Sequence, residues 1–277
     1  MFLQLKTRRL DLDAPKVMGI INVTPDSFSD GGRHQSVDAV VDHARCLVDA
    51  GAAILDVGGE STRPGAARVD EQAELDRVIP VIEALSSRFD VAVSVDTSKP
   101  AVMVAAGQAG AEMVNDVRAL QVPGALDAVA KAGMAACLMH MQGEPQTMQA
   151  APSYGRPIVD EIFDFLAQRL QRALAAGIAL DRIALDPGIG FGKTLAHNLA
   201  LLAATERFAA LGRPLLLGVS RKSMFGQLLG LAVDARDPAS AVTAALVVAR
   251  GAHIIRSHEV AHTVHALTIA SALRNAR

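Results

Sequence analysis

The sequence predicts an α/β chain folded as one (β/α)8 (TIM) barrel, a single domain over residues 1–277. Three observations predict it. Eight short apolar runs alternate with longer stretches of helical spacing, the pattern of parallel strands joined by helices. The runs are apolar almost throughout, as in strands covered on both faces. Six helical stretches stop at a glycine just before the next run, at Gly51, Gly110, Gly133, Gly177, Gly212 and Gly251, where a left-handed residue ends a helix.

In chain order the strands are expected at Val17–Val23, Ala53–Val57, Val91–Val95, Glu112–Asn115, Ala135–Met139, Ile183–Leu185, Leu215–Val219 and Ala252–Arg256. Helical spacing marks Val37–Ala50, Glu71–Ser86, Ile158–Ala176, Leu199–Leu211 and Ala239–Arg250. A doubly wound sheet is the competing fold. It would place a Gly-rich turn after the first strand, and none is there.

Composition excludes several classes. A net charge of −2 gives no global field for nucleic acid or an anionic membrane. No run approaches the ~20 apolar residues of a membrane span, and the first residues lack the apolar core of a signal peptide. Cys46 and Cys137 are the only cysteines. They form no metal or disulfide pattern and read as buried thiols of a cytoplasmic protein.

The stretch DPGIGFGKT, residues 186–194, imitates a nucleotide loop. A P-loop needs glycine five residues before its final Gly, and Pro187 stands there without an N–H. The dinucleotide pattern fails too, because Lys193 replaces its last glycine. Lys193 and Thr194 are therefore expected outside the chemistry, and Asp186 is the residue of interest.

Nearly every strand run ends on a polar group: Asn22, the turn Gly59–Arg63, Asp96, Asn115, Met139-His140, Asp186, Ser220-Arg221-Lys222 and Arg256-Ser257-His258. In this fold the site lies at that face of the barrel. Asp96 with Thr97 and Ser98 could instead cap a helix, and Asp56 reads as an internal hydrogen-bonding residue. His34, His43, His197, His262 and His265 read as surface. The remaining set divides in two. Asp96, Asn115, Asp186 and Lys222 suit a flat heterocycle with a donor-rich edge. Asn22, Thr62, Arg63, Arg256 and His258 suit a phosphorylated group, since forked guanidinium donors match phosphate oxygens. No Cys/His or carboxylate cluster forms a metal cage, so Mg²⁺ would ride mostly on substrate phosphate and water.

These residues lie in MGIINVTPDSFSDGG (18–32), ILDVGGESTRPGA (54–66), VSVDTSKP (93–100), MVNDVRAL (113–120), CLMHMQG (137–143), LDPGIGFGK (185–193), GVSRKS (218–223) and GAHIIRSHEV (251–260). In that order the chain closely resembles the dihydropteroate synthase family. The resemblance implies a Mg²⁺-dependent, homodimeric folate-synthesis enzyme joining 6-hydroxymethyl-7,8-dihydropterin diphosphate to 4-aminobenzoate. It implies that Asp96, Asn115, Asp186 and Lys222 hold the pterin, with Met139 beside it and Arg256 over its face. Asn22, Thr62, Arg63, Arg256 and His258 would take the diphosphate, with Asn22 toward the metal, and Arg63, Lys222, Arg256 and His258 would be catalytic. Thr62, Pro64, Phe191, Ser220 and Lys222 would frame aminobenzoate, residues 23–35 and 60–69 would be lids, and sulfonamides would inhibit.

The chain departs from the family pattern at Ser257 and Glu259, where Val and Asp are usual. Each departure is expected to cost about 1 kcal/mol of stability. Two other readings are a pterin-binding methyltransferase barrel and a non-catalytic pterin-binding subunit. Neither has use for the full set of anion donors.

Overall fold

A computed structural model of the chain describes residues 1–23, 32–61, 65, 66 and 68–276, without the side chains of 32–36. Ten strands and ten α-helices are present among them. An opening hairpin pairs β1 (Phe2–Gln4) antiparallel with β2 (Arg9–Asp11). Then follow β3 (Lys16–Asn22), α1 (Gly32–Asp49), β4 (Ala52–Gly58), α2 (Glu71–Arg88), β5 (Ala92–Asp96), α3 (Pro100–Gln108), β6 (Met113–Asp116) and α4 (Ala125–Ala132). The second half runs β7 (Ala135–Met139), α5 (Ile158–Ala175), β8 (Ile183–Asp186), α6 (Leu195–Ala203), α7 (Thr205–Ala209), β9 (Leu216–Gly218), α8 (Ser223–Leu229), α9 (Asp237–Ala249), β10 (Ile254–Ser257) and α10 (Val260–Asn275).

Strands β3 to β10 form one parallel sheet in the order β8-β7-β6-β5-β4-β3-β10-β9. A bridge from Leu185 to Leu215 joins its two ends, and Leu185 N–H donates to Pro214 O at 2.9 Å. The eight expected strands are all present, each within two residues of its expected ends. The six helix-ending glycines all have positive φ, from 64° at Gly133 to 111° at Gly110, a conformation that costs glycine little.

Two apolar layers result. The larger packs the outer strand faces against the helices, with Val17, Leu55, Val93, Val114, Leu138 and Phe208 buried in it. The smaller lies inside the barrel and takes one or more residues from each of the eight strands, including Met18, Ile54, Met113, Cys137 and Ile254. Leu3, Leu5 and Leu12 join this inner layer. The opening hairpin therefore plugs the bottom of the barrel, opposite the polar strand ends.

Three sequence expectations need correction. Residues 199–211 are not one helix, because α6 and α7 break at Ala204. Cys137 is buried but Cys46 is exposed: on α1 the buried positions are Val40, Val41, Ala44 and Leu47, and position 46 falls off that face. His197 is half-buried, because it completes a capping box with Thr194 at the start of α6.

Candidate active site

Register brings the polar strand ends together. Asn22 aligns with Gly58, Gly58 with Asp96, and Asp96 with Asn115, so one row crosses four strands at the barrel mouth. On the next two strands, Met139 of β7 aligns with Asp186 of β8. Side chains two apart on a strand share a face, which puts Asp96 above the buried Ser94 and Asp56 in the neighbouring inner row.

Arg256 is the centre of this layer. Its Nε donates to Asp56 Oδ2 at 2.6 Å and its Nη2 to Asp96 Oδ2 at 2.8 Å. Asn115 Nδ2 donates to the same Asp56 oxygen at 3.0 Å. Asp56 is fully buried, and these two donors satisfy its Oδ2. Burial lowers the affinity of Arg256 for its proton, but Asp56 and Asp96 outweigh that and hold it firmly cationic. Asp96 does not cap α3: the helix starts at Lys99 without a side-chain cap, and the carboxylate is committed to Arg256.

Burial sets the other charges. It pushes the Asp96 carboxyl up to about 7, against the pull of Arg256. It pushes Asp186 up to about 6, opposed by the N–H of Gly188 and by Lys222; that N–H donates to Asp186 Oδ1 at 2.7 Å. Burial pushes Lys222 down to about 8, with Asp186 opposing. The Lys222 ammonium lies 4.3 Å from the centroid of the Phe191 ring, a cation–π distance.

Asp56 Oδ1, Asn115 Oδ1 and Ser94 Oγ are buried and have no hydrogen-bond partner among the described residues. Unmet buried acceptors are costly, and a ligand rich in N–H donors would relieve them. A cavity of about 800 Å³ opens beside Asp96, lined also by Glu60, Ser61, Lys99 and Arg118. A smaller one of about 450 Å³ lies between α4 and α5 and touches none of these residues.

The anion donors sit at the neighbouring strand ends. Ser220 Oγ is 2.9 Å from His258 Nδ1 and accepts from His258 N–H at 3.2 Å, so the ends of β9 and β10 are linked. Asn22 is exposed at the end of β3. Arg221 is turned away, its guanidinium fork on both Asp237 oxygens at 2.8 Å. Thr62, Arg63 and Pro64 lie outside the described residues, as do 24–31 and 67 of the two expected lids.

The two departures near the last strand are accommodated. Ser257 is buried toward α10, as expected, but its hydroxyl is satisfied by Thr263 Oγ1 at 2.9 Å and Glu259 O at 3.0 Å. Glu259 caps α10 by accepting from His262 N–H at 2.7 Å.

Three groups near the mouth escaped the sequence reading. Lys99 bonds both Glu60 and the buried Glu74. Asp116 takes N–H donors from Arg118 and Leu120 and a hydroxyl from Ser98, which shapes the turn after β6. Lys193, expected outside the chemistry, is buried with its Nζ 3.0 Å from His140 Nδ1. A polar residue after each strand was the available signal for Asp116; for Lys193 there was none.

Residues 18–258 match the model of the pterin binding enzyme family. The chain is 52% identical over 268 residues to the dihydropteroate synthase of Escherichia coli (strain K12), covering 97% of this chain and 95% of that one. Among solved structures it superposes on Yersinia pestis dihydropteroate synthase in a sulfonamide drug complex, with TM-score 0.93, 52% identity and coverage of 99% and 100%. The Xanthomonas albilineans enzyme with 4-aminobenzoic acid gives TM-score 0.92, 50% identity and coverage of 99% and 98%. On this match of sequence, fold and strand-end residues, the chain belongs to the pterin-binding enzyme family, among the dihydropteroate synthases.

Proposed function

We propose that this chain condenses 6-hydroxymethyl-7,8-dihydropterin diphosphate with 4-aminobenzoate, releasing diphosphate and 7,8-dihydropteroate. The observation that carries the reading is the buried Asp56–Arg256–Asp96 arrangement at the mouth of a barrel 52% identical to a dihydropteroate synthase. Its acceptors suit the N–H and amino groups of a pterin edge. In this reading Asp96, Asn115, Asp186 and Lys222 hold the pterin, Met139 lies beside it and Arg256 covers its face. Thr62, Pro64, Phe191, Ser220 and Lys222 frame aminobenzoate.

The bond from the pterin methylene to the diphosphate oxygen breaks, and its electron pair leaves with diphosphate. Arg63, Arg256 and His258 stabilise that charge. The electron-rich pterin ring, its edge held by Asp96 and Asp186, shares the partial positive charge on the methylene. The arylamine nitrogen then forms the new C–N bond and releases a proton. That amine is neutral at pH 7, so the substitution needs no strong base. Turnover that survived Arg63→Ala and His258→Ala at saturating substrate would overturn these assignments.

Mg²⁺ belongs to the same reading. Among the described residues no three His, Cys, Asp or Glu side chains group to hold a metal. The amide oxygen of Asn22 supplies one hard donor, which fits an ion that keeps water and phosphate oxygens. When bound, the ion supplies charge neutralisation to the leaving diphosphate.

The protein acts in this reading as a cytoplasmic homodimer. Support for a second copy comes from Val242 and Leu246 on α9 and Ile269 and Leu273 on α10, all more than half exposed, on helices that pack side by side. No described helix is long and apolar enough to cross a membrane, and the exposed thiol of Cys46 suits a reducing compartment.

A further inference from the structure

The loop from Pro187 to Gly192 carries Phe191 to Lys222, and its backbone turns its carbonyls toward side chains from elsewhere. Gly188, Gly190 and Gly192 have φ of 73°, 84° and 65°. A Cβ on Gly188 would lie 1.8 Å from His140 O, and one on Gly192 would lie 2.5 Å from Gln142 O. The loop is thus pressed against the segment that follows β7.

Three successive carbonyls in this loop each take a side-chain donor. Gly190 O accepts from Gln149 Nε2, Phe191 O from Lys193 Nζ at 3.0 Å, and Gly192 O from the Tyr154 hydroxyl at 2.8 Å. Lys193 does more than its neighbours. Its Nζ also reaches His140 Nδ1 at 3.0 Å and His140 O at 3.5 Å. His140 is anchored in turn, donating its N–H to Asp186 O at 3.0 Å and packing edge-on to Phe165 at 4.8 Å.

A buried lysine is costly unless its protons find acceptors, and here three acceptors surround one nitrogen. Burial pushes the Lys193 amine well below the usual lysine range, with Asp186 opposing, and even uncharged it keeps two N–H donors for these acceptors. Burial pushes His140 down to about 3, so the ring is neutral and Nδ1 is available to accept.

We propose that Lys193 is a positioning residue for aminobenzoate: its amino group ties His140 to the Phe191 carbonyl and so fixes the Phe191 ring against Lys222. The inference rests on the function proposed above, in which Phe191 and Lys222 frame that substrate. Of the groups proposed to hold the pterin, Asp96 and Asn115 stand on β5 and β6, while Asp186 and Lys222 lie within electrostatic reach of Lys193. Lys193 therefore bears more on aminobenzoate than on the pterin.

The test is steady-state kinetics of Lys193→Met with each substrate varied in turn. Loss of this buried tether predicts a rise of about tenfold in KM for aminobenzoate, with a smaller change in KM for the pterin diphosphate. Tyr154→Phe, which releases only Gly192 O, is expected to shift the aminobenzoate KM in the same direction by less. If Lys193→Met does not yield folded protein, Lys193→Gln, which keeps one amide donor, carries the comparison with the same selective rise expected. Both KM values unchanged, or both raised equally, would overturn the inference while leaving the proposed function standing. Absence of turnover in the unsubstituted protein would instead remove the functional reading, and this inference with it.

Discussion

Arg256 and Asp96 stand three strand positions apart around the barrel, yet Arg256 Nη2 lies 2.8 Å from Asp96 Oδ2. The pair joins a residue proposed to face diphosphate to one proposed to face the pterin edge. Asp56 completes the contact from beneath, 2.6 Å from Arg256 Nε. The guanidinium is thereby held in one orientation before substrate arrives, and little ordering is left to be done on binding.

Asp56→Ala should separate this support from surface effects. It leaves the Arg256 and Asn115 donors buried without their shared acceptor, and breaking a buried pair costs about 3–5 kcal/mol. The urea midpoint should fall, with kcat/KM for the pterin diphosphate reduced by about tenfold or more. Asp56→Asn keeps an acceptor of the same size and should lose less stability. Unchanged midpoint and turnover in Asp56→Ala would contradict the role given to this carboxylate.

The pH dependence follows from three groups at the barrel mouth. Asp186 and Asp96 take up protons near 6 and 7, and Lys222 loses its proton near 8. The form with both carboxylates charged and the lysine protonated is best populated between these values. A bell-shaped kcat/KM for the pterin diphosphate is expected, rising through about 6–7 and falling above about 8. Stability moves differently. The folded aspartates bind protons more tightly than the unfolded chain, whose value is 3.8, so their contribution to stability falls as pH rises from about 4 to about 7. Asp186→Asn should flatten that part of a Tm-against-pH curve and weaken pterin binding. A Tm slope in that window unaltered by the substitution would count against the burial argument.

The glycines of the loop after β8 make a sharper contrast. Gly188→Ala places a Cβ 1.8 Å from His140 O and should abolish activity through displacement of the loop. Gly212→Ala shares a positive φ of 73° but meets nothing within 4 Å, so only backbone strain of about 1 kcal/mol is expected. Comparable turnover in the two variants would show that loop packing does not matter.

The exposed apolar stripe predicts the oligomeric state. Leu246→Glu combined with Ile269→Glu should convert a dimer to a monomer in sedimentation velocity, without unfolding it. A monomeric unsubstituted protein would remove the support claimed for a second copy.

Much of this architecture was legible in the sequence because its cause is local. An apolar run that stops at Asp96, Asn115 or Asp186 announces both a strand and its functional end. A glycine such as Gly110 announces a helix stop by its backbone freedom alone. The exposure of Cys46 was missed, although the spacing of Val40, Ala44 and Leu47 carries it. Other features depend on distant partners. The opening hairpin has three-residue strands, too short for a periodic signal, and exists because eight strand starts offer it an apolar socket. Lys193 sits in a glycine-rich stretch that looks exposed, and only the fold brings His140 against it. Asp56 reads as an internal hydrogen-bonding residue, but Arg256 as its partner lies 200 positions away.

In the proposed reaction the amine, not water, displaces diphosphate at the pterin methylene. The most direct measurement is diphosphate release from 6-hydroxymethyl-7,8-dihydropterin diphosphate, with aminobenzoate and Mg²⁺ added separately and together. Release is expected only when both are present, matched mole for mole by 7,8-dihydropteroate. Release at the same rate without aminobenzoate, or pterin binding without any release, would contradict it.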